Sequence, residues 1–317
     1  MTDRARHREN DRGAAPTYSL VLSGGGARGF VHVGALRALE HLGHPPAAIV
    51  GVSMGAIVGA TYGLNPAWYP ALVDMDTSGL PILPDFAAPG VGNRLRSVYR
   101  VQQFVSGSWF GWGLGEATHA WGLNLLRDLT LNQNLDEARL PVCVTATDLD
   151  TGERVALRDG PAWEGVYASS ALAGILPPAE IDGRMLIDGG YSDLAPVDLA
   201  RRMVDGPVIA IDVSRRLRGG LPANGVQAMI RGLEICQNEH ASLRFAAADL
   251  VLKPVLEPAV DTLDFGAKRR AIAAGTWMVR ARQAEIARLI RRGAAPHAPA
   301  SAAHHASMPV AEGSLQD

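Results

Sequence analysis

Ser53 stands in the turn Gly51-Val52-Ser53-Met54-Gly55, directly after the apolar run Ala48-Ile49-Val50. A Gly-x-Ser-x-Gly turn between a strand and a helix lifts a serine hydroxyl clear of the backbone, where it can attack a carbonyl. Gly51 and Gly55 let the neighbouring backbone pass without side-chain clash. A second glycine-rich turn, Ser23-Gly24-Gly25-Gly26-Ala27-Arg28-Gly29, follows the apolar run Tyr18–Leu22. Backbone N–H groups at the start of a helix favour negative charge and suit the oxygen that becomes anionic during such an attack. In this order and spacing the two turns predict an acyl-transfer site, with Ser53 as nucleophile. Backbone N–H groups of the first turn are the expected oxyanion donors.

Two other chemistries compete for the first turn. Gly24, Gly26 and Gly29 have the spacing of a dinucleotide loop, which wants an acidic residue at the end of the next strand. Here that strand ends in Val52-Ser53. A P-loop needs a Gly-Lys-Ser/Thr sequence that does not follow. Arg28 reads either as an anchor that orders the loop or as a contact for a lipid phosphate.

A serine nucleophile needs a base. Of the histidines in the core of the chain, only His119 and His240 follow Ser53, the former in an irregular aromatic region and the latter within a helical pattern. His32 lies inside the first helix. Each of the three reads as a polar helix or surface position. Asp188 is the better candidate, because it ends the apolar run Met185-Leu186-Ile187 and is followed by Gly189 and Gly190. A carboxylate at the edge of the sheet can accept the serine proton directly, provided burial raises its pKa or the oxyanion site carries much of the barrier. By itself, Asp188-Gly189 also reads as a simple turn.

These residues require a sheet to carry them. Tyr18–Leu22 and Ile49–Val52 read as strands, Phe30–Leu42 and Met54–Leu64 as the helices after them, and Gly43 as a C-cap. This alternation predicts a parallel sheet covered on both faces. Pro141–Thr147 continues the sheet, Arg154–Leu157 returns as a hairpin, and Asp182-Gly183 turns a second hairpin. Helices are expected over Gly165–Ala173, Val197–Val204, Val226–Ala247 and Lys268–Arg292, with strands at Val208–Val213 and Leu250–Val255. Residues 65–124, rich in proline and tryptophan, read as an excursion, either a lid-like entrance for an acyl chain or a cap on the core. Residues 1–16 and the Ala/Pro/His-rich tail 293–317 read as disordered.

The chain has 317 residues, is 47% hydrophobic and has a formal net charge of −2, so nothing points to a nucleic-acid partner. Its two cysteines, Cys143 and Cys236, make neither a disulfide framework nor a metal spacing. Ala47–Leu64 carries no charge and is long enough to cross a membrane, but Gly51, Gly55, Gly59 and Gly63 break it, and a buried strand and helix explain it better. The N-terminus has no secretory signal as written. The expected location is cytoplasmic, with or without contact at a membrane surface. Between Lys268 and Arg292 eight residues are basic and only Glu285 is acidic. Such a helix suits either an anionic lipid surface or a solvated face.

Gly24–Gly29, Gly51–Gly55 and Asp188–Gly190 in this order resemble the patatin-like phospholipase family. The resemblance extends through Ala35–Glu40, Ala146–Leu149, Ser169–Pro178 and Ile209–Val213, and covers roughly residues 17–213. It implies a three-layer α/β/α fold with a mostly parallel central sheet, in one domain over residues 17–292. It implies a Ser–Asp dyad of Ser53 and Asp188, with the N–H groups of Gly24, Gly25 and Gly26, joined by that of Met54, as oxyanion donors, and hydrolysis of a lipid or other ester without metal or cofactor. The sequence departs from the family pattern after Gly190, where Tyr191-Ser192-Asp193-Leu194-Ala195-Pro196 replaces a small residue, Asn and Leu-Pro. That leaves the shape of this loop open. The rival reading is a non-catalytic member that binds lipid or regulates a partner.

Overall fold

In the computed structural model, residues 17–78, 116–214 and 225–293 are described. Strands β1 (Ser19–Leu22), β2 (Ala48–Val52) and β3 (Val142–Asp148) lie side by side and parallel. On the other flank of β1 come β7 (Val208–Ile211) and β8 (Leu250–Leu252), also parallel. Three short strands run antiparallel: β4 (Arg154–Leu157) pairs with β3, β6 (Arg184–Asp188) with β3, and β5 (Ala179–Ile181) with β6. The order along the sheet is β5-β6-β3-β2-β1-β7-β8, with β4 off this path. β1 therefore lies where the sheet was built outward in both directions, the place at which open α/β sheets leave a crevice at the carboxyl ends of their strands.

Side chains alternate across the sheet as strand geometry requires. Leu20, Leu22, Ile49, Val144, Ile209 and Ile211 face one core. Val21, Val50, Cys143, Val208 and Ala210 face the other. The first core is covered by α1 (Phe30–His41), α2 (Met54–Leu64), α5 (Ala162–Ser170), α8 (Lys268–Ala281) and α9 (Gln283–Gly293). The second is covered by α6 (Val197–Arg201) and α7 (Gly225–Phe245). The three expected layers are present. Ala47–Leu64 resolves into β2 and an eleven-residue helix, and no helix among the described residues is long and apolar enough to cross a membrane.

Several boundaries differ from those expected. α5 starts at Ala162, after Pro161, and ends at Ser170 rather than Ala173, where Ala171 leaves helical geometry at ψ 78° and its carbonyl accepts the N–H of Asp188. The long C-terminal helix breaks at Arg282, whose side chain pairs with Glu285. The apolar faces of its two halves, Ile272, Met278, Val279, Ile286 and Ile290, are spent on the core. The excursion has helical ends, α3 (Trp68–Asp74) and α4 (Glu116–Leu129). Its middle, residues 79–115 with Trp109, Phe110 and Trp112, lies outside the described residues, as do residues 1–16 and the tail after Gly293. Cys143 is buried, Cys236 is exposed, and both are free.

Candidate active site

The elbow is strained and held. Ser53 joins β2 to α2 at φ 53° and ψ −121°. A non-glycine residue at positive φ costs about 1–3 kcal/mol and persists only where its surroundings fix it. The Ser53 N–H donates to the Ser169 hydroxyl at 2.9 Å, and the Ser53 carbonyl accepts the N–H groups of Ala56 and Ile57 in the first turn of α2. Gly55 is required by close approach: a Cβ there would lie 2.1 Å from the Leu22 carbonyl oxygen.

The sheet register brings Asp188 to the elbow. β3 pairs with β2 as far as Thr145, opposite Val52, and with β6 from Ala146 onward, opposite Asp188. The last residue of β6 thus stands one step along β3 from the last residue of β2. The Asp188 carboxylate lies near enough to the Ser53 hydroxyl to be stabilised by it, and its Oδ1 accepts the Gly190 N–H at 2.7 Å. Asp188 is 7% exposed. Burial pushes its pKa up to about 6, while the bonds from Ser53 and Gly190 pull it back. Burial raises the neighbouring Tyr191 phenol to about 12, and the Asp188 charge adds to that shift.

The glycine loop leaves β1 beside this pair. A Cβ on Gly24 would lie 3.5 Å from that of Ser53. Gly25 precedes a short 3-10 turn, Gly26–Gly29. Gly26 is at φ +54°, and a Cβ there would meet the Thr262 carbonyl oxygen at 2.2 Å, so both backbone and space select glycine. The N–H groups of Gly24, Gly25 and Gly26 donate to no group among the described residues. Gly29 lies against the Met54 side chain, at the first residue of α2.

Arg28 is an anchor. Its Nε donates to the Val213 carbonyl at 2.9 Å, and its terminal nitrogens reach the Val260 carbonyl, Thr262 Oγ1 and Glu234 Oε1 at 3.3, 3.2 and 3.2 Å. These bonds tie its guanidinium to the segments around the glycine loop. The loop after Gly190 is shaped by other residues than the family's Asn. The Ser192 N–H donates to Thr147 Oγ1, which donates in turn to the Asp188 carbonyl. Asp193, almost fully buried, accepts the Ala195 N–H at 3.0 Å and pairs with Arg154 at 2.5 Å.

Ser53, Asp188 and Gly24–Gly26 open on a cavity of about 180 Å³. Ile57, Met75, Leu125, Leu172, Ile175 and Leu176 make part of its wall apolar, while Ser214, Gln237 and Asn238 make another part polar. His119 and Trp121, from the end of the excursion, also line it. The His119 ring packs against Tyr167, with centroids 5.0 Å apart. His240 is exposed on α7. His32 departs from the expected polar or surface position: it is fully buried behind the glycine loop, and burial pushes its pKa down to about 4. Its Nε2 lies 2.9 Å from the Ser23 carbonyl oxygen. The contacts of His32, Ser169 and Thr147 escaped sequence reasoning. Ser169 lay within the family-like run, but no spacing signals which hydroxyl meets which N–H.

An elbow serine, a buried aspartate and a glycine loop meet at the carboxyl edge of a doubly covered α/β sheet. The family model described as patatin-like phospholipase matches residues 20–201. The chain belongs to the patatin-like phospholipase family. Lysophospholipase NTE1 of Cryptococcus neoformans is 31% identical over 194 residues, which are 61% of this chain and 11% of that protein. Human patatin-like phospholipase domain-containing protein 6 is 33% identical over 199 residues, 62% of this chain and 13% of that protein. Mouse patatin-like phospholipase domain-containing protein 7 is 32% identical over 200 residues, 62% of this chain and 14% of that protein. The similarity thus spans a small part of these relatives. Among solved structures, VipD from Legionella pneumophila aligns with 89% of this chain and 68% of its own, at 15% identity and a TM-score of 0.46.

Proposed function

We propose that the protein is a serine lipid acyl hydrolase working through the Ser53–Asp188 dyad. The observation that carries this reading is the sheet register that sets the buried carboxyl of Asp188 beside a strained elbow serine. Asp188 takes the Ser53 proton as Oγ attacks the ester carbonyl. The oxygen of that carbonyl becomes negative beside the N–H groups of Gly24–Gly26 and Met54, which need no reorganisation to meet it. Collapse of the tetrahedral species expels the alcohol, to which Asp188 returns the proton. Water then gives a proton to Asp188 as it attacks the acyl-enzyme, and the fatty acid leaves with Ser53 restored. The apolar part of the cavity wall suits an acyl chain, and the named relatives are phospholipases. Peripheral contact with a membrane would bring such substrates to the cavity.

The test is covalent labelling with a fluorophosphonate, together with a panel of defined lipids whose released products are identified by mass. The unaltered protein is expected to form an adduct on Ser53 and to release fatty acid. Ser53→Ala should do neither, and Asp188→Asn should lower turnover by about 10²- to 10⁴-fold, the range for loss of a positioned base. Full esterase activity in Ser53→Ala would refute the reading. Lipid binding without any adduct in the unaltered protein would favour the non-catalytic member.

A further inference from the structure

His32 sits under the oxyanion loop rather than in the cavity. A carbonyl only accepts, so the imidazole nitrogen 2.9 Å from the Ser23 oxygen must carry the proton and donate it. The other nitrogen, Nδ1, is buried without a hydrogen-bond partner among the described residues. The ring therefore has one polar contact, and it is to the peptide that opens the glycine loop. A ring this deeply buried stays neutral through the physiological range and keeps that proton where the carbonyl fixes it.

The consequence follows from the peptide plane. The Ser23 N–H donates to the Ile211 carbonyl of β7, on one side of β1. In extended backbone the next N–H, that of Gly24, points to the opposite side, and there β2 continues into Ser53. The Ser23 C=O and Gly24 N–H belong to one rigid trans peptide and point in opposite directions. Ser23 is fully buried, so its carbonyl needs a donor wherever it points. We propose that His32 is a positioning residue for the oxyanion site: by holding the Ser23 carbonyl it aims the Gly24 N–H at the space above Ser53. Without that donor the peptide is free to turn, and its carbonyl oxygen would face the developing negative charge. The inference rests on the acyl-transfer reading of Ser53.

The test compares His32→Leu, which fills the space without a donor, with His32→Gln, whose side-chain N–H reaches about as far as Nε2. kcat and KM are measured on a soluble p-nitrophenyl ester, the rate of fluorophosphonate labelling at Ser53 is followed, and thermal unfolding monitors the fold. His32→Leu should lose kcat by about 10²-fold, the scale of one lost oxyanion donor, with KM within about threefold and labelling slowed in parallel. His32→Gln should restore most of both rates. If His32→Leu does not fold, His32→Met, a donor-free side chain of similar length, is compared with His32→Gln in the same way. A folded donor-free variant with undiminished kcat overturns the inference, and so does a glutamine variant that falls as far as the donor-free one. Absence of labelling in the unaltered protein overturns the reading of Ser53 and this inference with it. Unchanged labelling in His32→Leu overturns this inference alone.

Discussion

The elbow and the glycine loop are both glycine-rich turns at the carboxyl ends of adjacent parallel strands, yet they are held by opposite means. The elbow is fixed mostly by its immediate chain: two α2 N–H groups on the Ser53 carbonyl hold its positive φ, and Gly55 lets the turn press on the Leu22 carbonyl of the neighbouring β1. From further along the chain it draws the Ser169 hydroxyl, which accepts the Ser53 N–H, and the neighbouring Asp188 carboxyl. The loop is fixed from a distance. Arg28 reaches Val213, Val260, Thr262 and Glu234, Ser23 Oγ accepts the Val213 N–H, and His32 holds the Ser23 carbonyl. A nucleophile needs one atom presented, which a strained turn can do. An oxyanion site needs several N–H groups kept empty and aimed, which a loop cannot do without braces.

The largest expected effect lies on the braces. Arg28 and Glu234 form an ion pair with both side chains buried, so Arg28→Met leaves the carboxylate desolvated as well as releasing the loop. Breaking such a pair on one side costs about 3–5 kcal/mol. Chemical denaturation should show a loss of that order, and Arg28→Met/Glu234→Leu should regain much of it. A loss under about 1 kcal/mol would mean that the loop stands without its brace, and the contrast with the elbow would fail.

A smaller effect, and one of opposite sign, is expected on the other side of the comparison. Burial raises the Asp188 pKa from an ordinary carboxyl value to about 6. The folded protein then binds that proton more tightly than the unfolded chain. Stability from this group is complete below the unfolded pKa, near 4, and is lost as pH rises through about 6. Asp188→Asn removes the ionisation, so it should be more stable than the unaltered protein at pH 8, by about 1–3 kcal/mol, and should show no gain at pH 4. Catalysis should run the other way, since only the ionised carboxylate accepts a proton, and kcat should fall as pH drops through about 6. Equal stability of the two proteins at pH 8 would mean that the site stores nothing at Asp188.

The same division explains what could be read from the sequence. The strand–turn–helix elbow, the alternating strands and the glycine spacing are local patterns, and each appears where its pattern placed it. Asp188 was found because it ends an apolar run before two glycines, although its partner is 135 residues away in sequence (188 − 53). What brings the two together, the change of pairing along β3 from β2 to β6, has no local signature. Nor has the role of Arg28, where a loop anchor and a phosphate contact look alike until Glu234 and the Val213 and Val260 carbonyls are placed around it. Nor has the burial of His32, since a histidine at a helical position resembles any polar helix residue until the fold encloses it completely.

The smallest effect concerns the one hydroxyl that the elbow borrows. Ser169 is buried on α5 and accepts the Ser53 N–H at 2.9 Å. Ser169→Ala leaves that N–H unpaired in a buried place, a cost of about 1–3 kcal/mol, at the low end here because the volume barely changes. If the strain at Ser53 is held mainly by its own turn and by Gly55, the elbow should keep its shape. KM should then be unchanged, and kcat should fall by no more than about tenfold, the equivalent of about 1.4 kcal/mol in the barrier. A loss as large as that expected for a displaced oxyanion donor would show that the elbow, too, depends on a brace from another part of the chain. Kinetics of Ser169→Ala and His32→Leu on the same soluble ester give the comparison directly, because the two side chains act on neighbouring strands of one site.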